Sequence, residues 1–331
     1  MRVYIPFRLH SLTNRNFLRR RVRATIVPKE GAAMFSIQQI LTLFLTLTME
    51  LSLASCGAEG TVQPAPETPE PPAQVQETPG PAPDPSPEPE LEVTQGTEAY
   101  RDFQMDNVLH APEGDIHYHI YIPDSYDGSE AYALFLTLPG YEGLYFQGMG
   151  QNLYSENFAF EALNYNDKMI VAAPQLSDWG ETSAEQTIAL TEYLLDAYNI
   201  DPDRVYAEGY SGGGETMSRV MGLRPDLFTA YLQCSSQGDG AYGPVVEARV
   251  PVYFVIGESD EYYGSEPSRE AYDQLHELYT EAGLSEEEID QLLVLDIKDA
   301  AYFTEGGAFN QHGGGFLFAQ DPEIMGWLFG Q

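Results

Sequence analysis

The 331-residue chain is poor in cysteine, in positive charge and in tryptophan: two Cys, 16 Lys plus Arg, and two Trp. Two cysteines build neither a disulfide framework nor a Cys-rich zinc site. The 16 basic residues face 51 acidic ones, for a formal net charge of −35. Nucleic-acid binding rests on neutralising phosphates with Lys and Arg, so that class of partner is excluded. Also missing is an uninterrupted apolar run of about 20 residues, the length a membrane-spanning helix needs. What the chain does have is 43% hydrophobic and 12% aromatic residues, enough to build a large core.

The few basic residues are unevenly placed. Residues 1–55 hold half of them, Arg19, Arg20, Arg21, Arg23 and Lys29 among them, with only Glu30 and Glu50 on the acidic side. An uncharged stretch, Gly31–Met49, follows, strongly apolar from Ile40. A basic head and a short apolar core read as an export signal rather than a membrane span. The segment ends in Leu53-Ala54-Ser55-Cys56, which resembles the lipobox of bacterial lipoproteins. That resemblance implies cleavage before Cys56, a lipid on its thiol, and membrane contact through the lipid anchor alone. Residues 56–97 then carry eleven prolines and repeated acidic residues. Such a segment cannot bury apolar surface, favours extended polyproline II, and is expected to be a spacer.

The folded part is expected from Glu98 to Gln331. Gly114–Pro123 alternates, with Ile116, Tyr118, Ile120 and Ile122 on one face. Ala131–Leu138, Lys168–Pro174, Arg204–Glu208, Phe228–Cys234, Val250–Ile256 and Leu292–Ile297 read as further strands. Between and after them, Ser183–Tyr198, the segment after Gly214 through Val220, Pro267–Ala282 and Asp321–Phe329 read as helices. Strands alternating with helices of this length predict an α/β fold with a mostly parallel central sheet and helices on both faces.

Gly209-Tyr210-Ser211-Gly212-Gly213 matches G-x-S-x-G. An apolar strand precedes it and a helical pattern follows, the context a nucleophile elbow requires. There the serine sits on a tight turn, the glycines leave room for close backbone packing, and the helix N-terminus offers free N–H groups to a developing oxyanion. A serine hydroxyl is a poor nucleophile alone. It needs a base, and the base needs an orienting carboxylate.

The segment from Ile200 to Gly213 (IDPDRVYAEGYSGG) resembles the elbow region of α/β-hydrolases, in the branch of esterases, polyhydroxyalkanoate depolymerases and prolyl-oligopeptidase-like enzymes. The resemblance runs from about Asp115 to the C-terminus. It implies the α/β-hydrolase fold, a triad in the chain order Ser, acid, His, and no metal or cofactor. After Ser211 only His276 and His312 remain. His276 lies in a helical run and is expected on a helix surface, whereas His312 lies in a Gly-rich loop before the last helix, the family position. The strand ending at Ile256 leads into Gly257-Glu258-Ser259-Asp260-Glu261, which makes Asp260 the acid, with Glu258 and Glu261 as alternatives. The family's oxyanion hole implies the backbone N–H groups of Gly212 and of Tyr141. Relatives carry His-Gly where this chain has Pro139-Gly140.

Trp179 and Tyr210 are expected to touch substrate. Tyr141, Tyr145, Phe146, Tyr262 and Tyr263 fall on loops at the same edge. His117 and His119 share a strand face but lack further ligands at a telling spacing for a metal. Cys234 reads as a small buried hydrophobe. These features imply an exported, membrane-tethered serine hydrolase that cleaves carboxylic esters, small or oligomeric. Two alternatives stay open: a peptidase of the prolyl-oligopeptidase type, for whose gating propeller the chain before Asp115 is too short, and a binding lipoprotein on a hydrolase scaffold.

Overall fold

A computed structural model describes residues 91–331. The expected export signal, Cys56 and the linker up to residue 90 lie outside the described residues. No helix of the described residues is long and apolar enough to cross a membrane.

Ten strands form one sheet: β1 (Glu92–Thr94), β2 (Glu98–Tyr100), β3 (Phe103–Ala111), β4 (Gly114–Tyr121), β5 (Tyr132–Leu138), β6 (Met169–Pro174), β7 (Ile200–Tyr210), β8 (Ala230–Cys234), β9 (Val252–Gly257) and β10 (Leu293–Lys298). Their order is β1-β3-β4-β6-β5-β7-β8-β9-β10, with β2 pairing β3 off this path. From β6 to β10 every pairing is parallel. The remaining pairs, including β4 on β6, are antiparallel.

The sheet begins earlier than the expected linker boundary after Thr97, because Val93 pairs Leu109 and Glu98 pairs Met105. The two first strands have three residues each, too few to show a period. In β3 the alternation is visible in Phe103, Met105 and Leu109, but the fourth inward position is polar. Asn107 is buried there, accepting from the Gly96 N–H and donating to the Gln104 carbonyl.

The central strands are buried along their whole length because both faces are covered. Leu134, Leu136 and Leu138 of β5 face one core, with Leu190 and Leu194 of helix Glu181–Ala197, Met217 and Val220 of helix Gly212–Leu223, and Leu275 of helix Glu266–Glu281. Ala133 and Phe135 of the same strand face the other core, with Phe158, Phe303, Phe318 and Met325. Helix Glu286–Leu292 escaped the sequence reading, since Ile289 is its one buried side chain. It starts with a capping box in which Ser285 and Glu288 exchange hydrogen bonds. Because β5, β7 and β9 run parallel side by side or nearly so, the loops leaving their C-terminal ends meet at one edge. That edge holds Pro139–Gly143, the turn at Ser211, and Glu258–Gly264.

Candidate active site

Ser211 follows the last residue of β7 and caps helix Gly212–Leu223. Its backbone has φ 53° and ψ −122°, a conformation L-residues avoid at a cost of about 1–3 kcal/mol. Tight packing on both sides holds it. A Cβ on Gly209 would come 2.6 Å from the Gly213 carbonyl oxygen, and one on Gly213 would come 2.3 Å from that of Leu138. The Ser211 N–H donates to the Cys234 carbonyl at 2.9 Å, and the Ser236 hydroxyl donates to the Ser211 carbonyl at 2.5 Å. The strained turn is therefore hydrogen-bonded to the end of β8 and packed against the end of β5, and it lifts the serine side chain to the sheet edge.

Ser211, His312 and Asp260 come together at that edge. Ser211 Oγ lies 3.1 Å from His312 Nε2, and His312 Nδ1 lies 2.9 Å from Asp260 Oδ2. The Asp260 side chain is fully buried, and its Oδ1 also accepts the N–H groups of Tyr262 and Tyr263 at 3.0 and 2.9 Å. Only an acceptor faces Nδ1, so that nitrogen carries the proton and Nε2 is free to accept from Ser211. Two residues fix the imidazole from outside the triad. Glu261 Oε2 accepts the N–H groups of Gln311 and His312 at 2.9 and 3.0 Å. The Tyr210 hydroxyl donates to the His312 carbonyl, and its ring stacks on the imidazole at 5.8 Å between centroids.

The alternatives for the acid thus have other partners: Glu261 takes the backbone of the His312 loop, and Glu258 accepts from the Ala300 N–H at 3.2 Å. His276 pairs with Glu286 at 2.9 Å, away from Ser211. His119 is fully buried. Its Nδ1 accepts from the Asp106 N–H at 2.8 Å and its Nε2 lies 2.9 Å from Gln175 Oε1, so both ring nitrogens are engaged within the protein. Burial lowers its pKa and favours the neutral ring. His117 binds Asp106 at 2.6 Å and stacks on Tyr145. Cys234 is fully buried beside Glu208.

Ser211 and His312 open into a cavity of about 600 Å3. The N–H groups of Gly212 and Tyr141 have no hydrogen-bond partner among the described residues, and both residues line this cavity. Trp179 packs on the elbow: a Cβ on Gly212 would lie 2.9 Å from its indole. Tyr210 also lines the wall, but its hydroxyl is committed to His312. Tyr262 and Tyr263 line the wall as well, whereas Tyr145 and Phe146 lie outside it.

Three acidic side chains that the sequence reading did not single out also line the cavity: Glu142, Glu156 and Glu215, and no Lys or Arg joins them. Glu215 lies one helical turn beyond Ser211 and accepts from the Tyr263 hydroxyl at 2.8 Å and the Gln237 amide at 3.1 Å. Burial raises its pKa. That helical spacing was a usable signal. Glu156, which accepts the Gly140 N–H at 2.8 Å, had none, because the two segments meet only in the fold.

Comparison with known proteins agrees with this fold. Residues 175–239, which contain the elbow, match the prolyl oligopeptidase family. The chain is 28% identical over 124 residues to a bifunctional acetylxylan esterase/xylanase, XynS20E, of Neocallimastix patriciarum; the match covers 34% of this chain and 18% of that protein. The chain thus spans about a fifth of the length of the curated relative it matches. Among solved structures, a thermostable esterase superposes with a TM-score of 0.57 at 24% identity, covering 70% of this chain and 63% of the other. The glucuronoyl esterase of Solibacter usitatus superposes with a TM-score of 0.51 at 10% identity, covering 74% and 88%. The sheet order, the elbow and these superpositions make the chain an α/β-hydrolase-fold protein, with a prolyl oligopeptidase family match across its elbow.

Proposed function

We propose that this protein is a carboxylic ester hydrolase that works through an acyl-enzyme on Ser211. The observation that carries the reading is the continuous path from Ser211 Oγ through His312 to the buried Asp260, at 3.1 and 2.9 Å. Ser211 Oγ attacks the ester carbonyl carbon while His312 Nε2 takes its proton. The carbonyl oxygen becomes an oxyanion against the N–H groups of Gly212 and Tyr141. Collapse breaks the ester C–O bond, and His312 returns the proton to the leaving alcohol. Water then attacks the acyl-enzyme with His312 again as base, releasing the acid and restoring Ser211. The relative named as an acetylxylan esterase/xylanase supports an ester over an amide.

The acidic cavity wall bears on the substrate. With Glu142, Glu156 and Glu215 on the wall and no Lys or Arg, a carboxylate on the substrate finds no cationic partner there, and the chain's net charge of −35 repels it. A panel of p-nitrophenyl esters and proline-containing peptide amides tests both points. Short neutral esters are expected to turn over with a kcat/KM at least about tenfold above anionic hemiesters of equal length, and the gap should narrow in high salt. Turnover of the peptide amides in preference to every ester would replace this reading with the peptidase one, which the prolyl oligopeptidase family match keeps in play.

The export reading belongs to the same proposal: a hydrolase held outside the membrane by a lipid on Cys56. The wild type is expected to fractionate with membranes, and a Cys56→Ala variant to leave that fraction. Equal membrane association of the two would refute the tether.

A further inference from the structure

We propose that Glu156 is a positioning residue for the oxyanion site: its carboxyl group holds the Gly140 N–H and thereby sets the turn that presents the Tyr141 N–H to the reacting carbonyl. The inference rests on the ester-hydrolase reading above and extends it to a residue outside the triad.

The geometry of the turn carries the argument. Gly140 sits between two constraints. On one side its N–H donates to Glu156 Oε1 at 2.8 Å. On the other it packs on the elbow, where a Cβ would lie 3.0 Å from the Tyr210 ring and 3.3 Å from Ser211 Cβ. Gly140 then starts the short turn Tyr141–Gly143, closed by the Gly143 N–H on the Gly140 carbonyl at 3.0 Å. A Cβ on Gly143 would come 2.3 Å from Pro139, so the turn is tightly packed from within as well. Release of the Gly140 N–H removes the one side-chain hydrogen bond made to Gly140–Gly143 among the described residues, and the Tyr141 N–H is the next group along the chain.

Glu156 is itself well anchored. It ends the short helix Gln151–Ser155, and Asn152 of that helix donates to the Ala173 and Pro174 carbonyls of β6 at 3.1 and 3.0 Å. The carboxyl group is thus carried by the sheet rather than by the loop it holds. This is how a donor is fixed before the reaction, when electrostatic stabilisation depends on donors that need not reorganise.

The charge state matters because an anion here would stand one residue from the developing oxyanion. The ionisable groups facing Glu156 are Glu142 on the turn, Glu208 and Tyr210 on β7, and Cys234 on β8, with His312 across the cavity; no Lys or Arg is among them. Burial pushes the Glu156 carboxyl up to about 8, the Gly140 N–H opposes that rise, and Glu142 adds to it. Below that value the group is a neutral acceptor. Above it the carboxylate opposes the negative charge that forms on the carbonyl oxygen. Activity carried by the neutral form is therefore present at neutral pH and lost as pH rises through about 8.

The test compares wild type, Glu156→Ala, Glu156→Gln and Ser211→Ala on one neutral p-nitrophenyl ester from pH 6 to 10. Glu156→Ala is expected to lower kcat about tenfold with KM changed less than about twofold, since the N–H it sets acts on the transition state. Glu156→Gln keeps a carbonyl acceptor without the ionisation. It is expected to restore most of kcat and to lose the alkaline decline of the wild type. Glu156→Ala with wild-type kcat and pH profile overturns the proposal, and so does Glu156→Gln as impaired as Glu156→Ala. If Glu156→Ala fails to fold, the pH profile of Glu156→Gln decides: an alkaline decline like that of the wild type refutes the inference. The Ser211→Ala arm separates the two levels, because ester turnover surviving there removes the hydrolase reading itself.

Discussion

Ser211→Ala is expected to lower kcat for a neutral ester by about a millionfold, roughly 8 kcal/mol of transition-state stabilisation. The size follows from what the residue does. Without Oγ there is no acyl-enzyme, and the remaining groups, two backbone N–H donors and an imidazole, can only assist a water molecule. The same variant is expected to fold normally and to be no less stable than the wild type. Alanine relieves none of the φ 53° strain, and the contacts that the serine hydroxyl gives up, to His312 and Tyr263, lie at the wall of the cavity rather than in the core. Stopped-flow and steady-state rates on purified protein, with thermal melting alongside, check both parts. A loss below about a hundredfold would show that the nucleophile lies elsewhere.

The second large effect is expected at Asp260. Its Oδ1 accepts two backbone N–H groups, from Tyr262 and Tyr263, while Oδ2 makes the shorter approach to His312 Nδ1. In Asp260→Asn the amide oxygen stays with the two backbone donors, which leaves the NH2 group facing Nδ1. His312 must then carry its proton on Nε2, where it cannot accept from Ser211. A loss of about ten-thousandfold in kcat/KM is expected, with KM and fold little changed. Burial adds to the effect, since the neutral amide cannot stabilise the imidazolium that forms as Ser211 attacks. Retention of more than about a tenth of the wild-type rate would mean that another carboxylate orients the imidazole. Glu261, already bonded to the backbone of His312, is the nearest alternative.

Much of this arrangement was legible in the chain because its signals are local. A strand, a G-x-S-x-G turn and a helix lie within about 25 consecutive residues, and steric demands at Gly209 and Gly213 explain why the pattern looks as it does. Asp260 and His312 could be picked out because Asp260 follows the end of β9 and His312 precedes the last helices, the positions that the family resemblance implies. The groups that support them were not legible in the same way. Glu156 and Gly140 are 16 residues apart and meet only because two loops fold over one sheet edge. Gln175 links the Gly150 N–H to His119 across 56 residues, which no period in the sequence records. The first three strands were missed for different physical reasons: two have three residues each, and β3 hides its alternation behind the buried Asn107.

Those supporting groups also explain how so acidic a chain places an anionic intermediate beside carboxylates. Glu208, directly before the elbow, is fully buried and bonded by the Thr137 hydroxyl at 2.7 Å. Burial, with Glu156 nearby, holds its pKa well above the usual carboxylate range. Glu215 is raised by burial too, and Tyr263 donates to it. Carboxyl groups whose ionisation burial opposes in this way contribute volume and hydrogen bonds beside the site, with less charge where the oxyanion forms.

The central claim is that Ser211 is an activated nucleophile, and covalent labelling tests it most directly. After incubation with a fluorophosphonate at neutral pH, intact-mass spectrometry is expected to show a single phosphonyl adduct, located by peptide mapping at Ser211. Ser211→Ala is expected to take no label, and Asp260→Asn to take it far more slowly. An unlabelled wild type, or an adduct that persists in Ser211→Ala, would contradict the account.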